Sequence, residues 1–109
     1  MIERLGRLRR TPALRAAVRE TTVAAGDLVL PIFVTEVEDE PTPISSMPGI
    51  HRWPVDRLGE HADRAVEAGL AGILLFGIPS SKDARGTEAS DPDGVVQRGL
   101  RRLRADGFE

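Results

Sequence analysis

Lys82 is the only lysine among the 109 residues, and it follows an apolar run, Ala71 to Gly77. A lone amine in that position invites imine chemistry, because a desolvated lysine attacks a carbonyl substrate to form a Schiff base. Its neighbours Ser81, Asp83 and Arg85 argue the other way, since water and charge keep an amine protonated. The acids Glu36, Glu38, Asp39 and Glu40 form a second candidate group, as ligands for a hard cation. Their spacing fits no calcium loop, and Pro41 and Pro43 interrupt the chain just after them, so they read as a solvated charge run. His61 has no second ligand at i+4 and lies beside a helical apolar face, which makes it a packing or surface residue; His51, in a loop, has more room for function. The chain has no cysteine, which excludes a disulfide framework and any thiolate metal site within these residues. Gly72, Gly77 and Gly86 do not have the spacing of a phosphate-binding loop, and no serine or cysteine is placed as a nucleophile with its base. From the residues alone, no catalytic, cofactor-binding or metal-binding residue is assigned.

The net charge of −2 hides an uneven distribution. Between Met1 and Glu20 lie Arg4, Arg7, Arg9, Arg10, Arg15 and Arg19 against only Glu3 and Glu20. No aromatic residue is interleaved with these arginines and no groove-reading motif is present, so the arm reads as solvated or as an oligomer contact rather than a nucleic-acid binder. No apolar core of roughly 7–15 residues follows it, as a signal peptide requires. No run approaches the length that crosses a membrane, and a soluble cytoplasmic protein is expected.

The elements that must position these side chains are α/β in kind. Thr11-Pro12 offers an N-cap and a first-turn proline, and Leu14, Ala17 and Val18 predict a short helix to about Glu20. Asp27 to Val34 is apolar without alternation, as in a strand covered on both faces. Pro31 within it must lie at an edge or an irregularity, because it cannot donate to a ladder. Thr35 to Trp53 is predicted as one long loop, with Pro48-Gly49 at the centre of a type II turn. Pro54 to Ala68 is the clearest helix, with Val55, Leu58, Ala62, Ala65 and Val66 on one face and Gly69 as its left-handed cap. Ala71 to Gly77 reads as a second buried strand, and Ile78 to Ser90 as another long loop. Asp91-Pro92 is expected to start a third helix with Val95, Val96, Gly99, Leu100 and Leu103 inward. Two parallel strands joined through a helix make one βαβ unit, and two such strands alone cannot bury both of their faces. The chain therefore reads as the opening portion of a larger α/β fold, or as a piece completed by a partner.

The order of these features resembles a known family. Arg7-Leu8-Arg9-Arg10-Thr11-Pro12, the strand Asp27 to Val34, the loop Pro43-Ile44-Ser45-Ser46-Met47-Pro48-Gly49, the strand end Leu75-Phe76-Gly77, and Asp91-Pro92-Asp93-Gly94 with Gln97-Arg98 are similar to the N-terminal part of porphobilinogen synthase, or delta-aminolevulinic acid dehydratase. The resemblance runs from about Arg4 to Gly107. One departure is Ser90-Asp91 before Pro92, where the family usually has Tyr-Asn; Asp caps as well as Asn does.

The resemblance implies an incomplete (β/α)8 TIM barrel. Residues 1–26 would form a basic N-terminal arm with a short helix, and residues 27–109 the first two βα units. The family condenses two molecules of 5-aminolevulinate into porphobilinogen in haem and other tetrapyrrole synthesis. Its arm wraps a neighbouring subunit in what is commonly a homo-octamer, so no nucleic-acid or membrane partner is implied. The two imine-forming lysines and the cysteines of its zinc-dependent members lie on later strands, so zinc, with magnesium as the alternative, is implied without ligands here. Lys82 matches neither lysine. Phe33 and Phe76 are expected near the barrel mouth or in its packed interior, and the isolated segment is expected to be inactive. Two rivals are the opening of another Schiff-base, aldolase-like barrel, and a small interaction module with a basic arm.

Overall fold

A computed structural model describes residues 6–109; Arg4 and the rest of residues 1–5 lie outside the described residues. Thr11 caps α1 (Pro12–Ala17), its hydroxyl accepting from the Leu14 N–H at 3.2 Å. The helix ends before Val18, shorter than its apolar spacing predicted, and its main neighbour is a short turn at Arg7–Arg9. Leu8, Leu14 and Val18 are exposed, so the arm stands away from the rest of the fold.

Four strands form one sheet in the order β2-β3-β1-β4, where β1 is Val29–Thr35, β2 Thr42–Pro43, β3 His51–Pro54 and β4 Gly72–Ile78. β1 runs parallel to β4 along its whole length, from Val29 opposite Gly72 to Thr35 opposite Ile78. On its other side β1 meets β3, also in parallel, only from Phe33 to Thr35. Pro31 therefore sits where β1 has a free flank, which satisfies the expectation that its missing donor be harmless.

β2 and β3 correct the expectation of one long loop from Thr35 to Trp53. They form a hairpin, with Thr42 opposite Arg52 and Pro43 opposite His51. The predicted turn closes it: the Ile50 N–H donates to the Met47 carbonyl at 3.0 Å and Gly49 has φ +82°. Strands this short, carrying His51 and Arg52, lack an apolar run; pairing of β3 with β1 and of β2 with β3 is what makes them strands.

Helix α2 (Leu58–Glu67) starts later than its pattern predicts, because Pro54 is still extended and Val55–Arg57 form a single tight turn. Gly69, at φ +69°, closes it as expected. Helix α3 (Val95–Ala105) is also later: Asp91 does not cap it. The Asp91 side chain instead accepts from the Asp93 N–H at 2.8 Å, folding Asp91 to Gly94 into a turn ahead of the helix. Leu58, Ala62, Val95 and Leu103 form one buried cluster with Ile32 and Val34 of β1, with Leu30, Ile73 and Leu75 at the margin, and Ala65 is buried as well. Val66 and Leu100, both predicted inward, are 65% and 52% exposed because they lie on helix flanks that no described element covers.

The opposite face of the sheet corrects a second expectation. β1 and β4 are covered on one face, not two: Val29, Leu74 and Phe76 are about half exposed on the face away from the helices. Among the described residues no helix is long and apolar enough to cross a membrane.

Candidate active-site edge

The carboxyl ends of β1 and β4 lie side by side, and the loops that leave them hold the acidic run Glu36 to Glu40 and Lys82. In parallel α/β folds this edge is where sites are built, because the loops there are free to vary while the strands fix their roots. Thr35 ends β1 fully buried, its hydroxyl accepting from the Val37 N–H at 3.1 Å and turning the chain outward.

Glu36 is the residue that sequence reasoning misplaced. Expected as part of a solvated charge run, it is half-buried and reaches across to the loop after β4. Its Oε1 accepts from both the Ser80 N–H at 2.7 Å and the Ser80 hydroxyl at 2.9 Å, and its Oε2 pairs with Arg98 of α3. The Ser80 backbone and side-chain donors, then the Arg98 charge, hold its carboxyl below the usual range. The signal in the sequence was position: Glu36 directly follows one strand and Ser80 sits two residues beyond the next.

The other acids scatter instead of converging. Glu38 pairs with Arg52 at 2.9 Å, and Glu40 pairs with Arg57, which also reaches Glu60 at 2.6 Å. Each of these carboxylates is engaged by a different cation from the one that holds Glu36, so the cluster is split into ion pairs. Among the described residues no three of His, Asp and Glu come together to hold a metal ion. The side chains of the described residues do not fit a zinc or magnesium site.

Lys82 lies on the far side of the loop after β4, in a cleft of about 390 Å³ between that loop and α3. Gly77, Pro79, Thr87, Val96 and Gln97 share the lining. This cleft opens on the helix side of the sheet, away from the bare face, and Lys82 has no ion-pair partner among the described residues. Asp83 beside it is committed to the loop itself, accepting from the Arg85 and Thr87 N–H groups, each at 3.0 Å. Gly77, named in the sequence only as a strand end, has a packing role. A Cβ there would stand 2.8 Å from Val95 and 2.7 Å from Val96, so glycine is what lets the start of α3 approach β4.

The histidines separate as well. His61 stacks on Trp53, ring centres 4.8 Å apart and planes within 17°, the packing role expected of it. Its Nδ1 is buried without a partner, and burial, then Arg64 and His51, lowers its pKa. His51 stands in β3, not in a loop, 6.5 Å from Trp53.

Phe33 and Phe76 are register partners on the bare face, ring centres 5.7 Å apart. They form an apolar wall below the carboxyl edge, as the inner surface of a barrel would present.

Comparison with known proteins matches this architecture along almost its whole length. The profile of the family described as delta-aminolevulinic acid dehydratase matches residues 2–109. The delta-aminolevulinic acid dehydratase of Streptomyces coelicolor is 49% identical over 102 residues, which cover 92% of this chain and 31% of that protein. That of Escherichia coli is 43% identical over 98 residues, 90% of this chain and 30% of that one. The crystal structure of delta-aminolevulinic acid dehydratase (porphobilinogen synthase) from Toxoplasma gondii, in complex with the reaction product porphobilinogen, superposes with a TM-score of 0.84 at 29% identity. That match takes in 98% of this chain and 31% of the other, so the chain spans about a third of the length of such relatives and its sheet is part of a TIM barrel. The chain belongs to the delta-aminolevulinic acid dehydratase family.

Proposed function

We propose that this chain forms the arm and the first two βα units of a porphobilinogen synthase, an enzyme that condenses two molecules of 5-aminolevulinate into porphobilinogen for tetrapyrrole synthesis. The observation that carries the reading is the superposition of nearly the whole chain on a structure that holds porphobilinogen. The half-exposed inner face agrees with it, since Val29, Leu74 and Phe76 are apolar where a surface facing water would be polar. In this reading residues 1–26 are the arm and residues 27–109 the barrel portion. The imine-forming lysines belong to strands beyond this segment, and Lys82, on the helix side, is a loop residue. The metal, zinc with magnesium as the alternative, is held outside these residues, and a cytoplasmic location accords with the biosynthetic role.

Oligomerisation is part of the same proposal. Leu8, Leu14 and Val18 of the arm are exposed and would be covered by a second copy of the chain, in an assembly up to an octamer.

The test is to read the coding sequence past Glu109 and to assay the polypeptide as its gene encodes it. The expected result is an in-frame continuation with further strands and two lysines, porphobilinogen formed from 5-aminolevulinate, and a mass by light scattering above that of a monomer. Residues 1–109 alone are expected to form none. An encoded polypeptide that carries the later strands yet makes no porphobilinogen would overturn the reading, and a monomer would overturn the assembly.

A further inference from the structure

We propose that Glu36 is a positioning residue: one carboxylate that latches the loop after β4 to the end of β1 and so fixes one of the loops at the carboxyl edge. The inference rests on the synthase reading for its effect on catalysis, but its geometry stands apart from that reading. The loop from Pro79 to Gly94 is tied to α3 at its later half, where Gln97 donates to the Ala89 carbonyl at 2.9 Å and Arg101 to the Pro92 carbonyl at 2.7 Å. Its middle is held only by itself, through Asp83 with Arg85 and Thr87. Its earlier half is joined to the neighbouring strand by Glu36, which takes both donors of Ser80 on one oxygen and Arg98 on the other.

Bonds to an ionised acceptor are about twice as strong as neutral ones. The geometry is also mutually dependent. The Arg98 Nε is buried without a partner, so Glu36 is the acceptor that keeps this guanidinium in place over the sheet. In Glu36→Gln the Ser80 donors are left with a neutral amide oxygen in place of a carboxylate, Arg98 loses its counter-charge and faces an amide NH2, and the latch is weakened at both ends. A βα loop that drifts by about 1 Å at the carboxyl edge of a barrel loosens substrate placement without touching the reacting atoms.

Lys82 supplies a reporter, because it is the only lysine of these residues and lies in the latched loop. Endoproteinase Lys-C cutting after Lys82, followed by mass spectrometry on the polypeptide as its gene encodes it, reads the opening of this loop. In Glu36→Gln that cleavage is expected to quicken about tenfold, with the melting temperature retained. Ser80→Ala, which keeps its backbone donor, should fall between the two. The value of kcat/KM for 5-aminolevulinate should drop about tenfold in Glu36→Gln, through KM more than kcat. Unchanged cleavage after Lys82 overturns the latch, and faster cleavage with KM and kcat both as in the parent overturns the positioning role. Faster cleavage at every lysine of the polypeptide together with a lowered melting temperature also overturns it, since that is global unfolding. A parent without synthase activity defeats the functional reading instead, and the Lys82 cleavage rates still decide whether the latch exists.

Discussion

The two faces of the central sheet are made of the same residue types and have opposite fates. On one face Ile32 and Val34 are sealed under Leu58, Ala62 and Val95, and on the other Phe33, Leu74 and Phe76 look outward. Residue type therefore says nothing about which face is a finished core. The difference teaches that the helices of the described segment cover one face of its sheet only, the helix-side face of a TIM-barrel portion.

The largest expected effect breaks this symmetry directly. In the polypeptide as its gene encodes it, Phe76→Ala or Phe33→Ala should cost about 3–5 kcal/mol in denaturant unfolding, as for any buried aromatic residue. In residues 1–109 alone the Phe76 change should cost far less, because its ring is already half exposed. Leu58→Ala, on the finished face, should cost about 2–5 kcal/mol in either context. Equal costs for Phe76 in both contexts would show that its face is never covered. Loss of activity in Phe33→Ala with unchanged melting would instead move that ring from the wall into the site.

Gly77→Ala sharpens the comparison from the helix side. The added methyl meets Val95 and Val96 within 2.8 Å, so α3 must shift, at an expected cost of about 1–3 kcal/mol in unfolding. A neutral effect would mean that the seam between β4 and α3 is looser than the covered face requires.

The smallest effect is one of pH. His61 has its pKa lowered below the ordinary 6.5 by burial against Trp53, so the folded state holds fewer protons there than the unfolded state. Its contribution to stability is present above the unfolded pKa and is lost as pH falls through the folded one. The melting temperature should therefore decline on acidification below about pH 6.5, and less so in His61→Phe. An identical pH profile in His61→Phe would remove this histidine from the account.

Much of the fold was legible because local chemistry and final structure agree. Thr11-Pro12 caps α1, Met47 to Ile50 turns with Gly49 at positive φ, and Gly69 ends α2, each a short-range preference that tertiary contacts had no reason to override. The misses have a common physical source. β2 and β3 are too short to show a period, and Asp91 accepts from the Asp93 N–H in a turn while Gly94 stands at the helix start. The site edge was less legible still. Glu36 lies 44 residues from Ser80 and 62 from Arg98, pairs that only folding brings together.

The sequence by itself determined the alternation of strands and helices, the apolar stripes that face the sheet, and the family through ordered motifs, because all of these are written in residues near one another along the chain. Only the tertiary structure decided that one face of the sheet is covered and the other bare. It also decided that the acidic run divides among separate cations and that Lys82 lies on the helix side while Glu36 spans two loops. Those outcomes depend on the pairing of β1 with both β3 and β4, which sets residues distant in the chain side by side as no local pattern encodes.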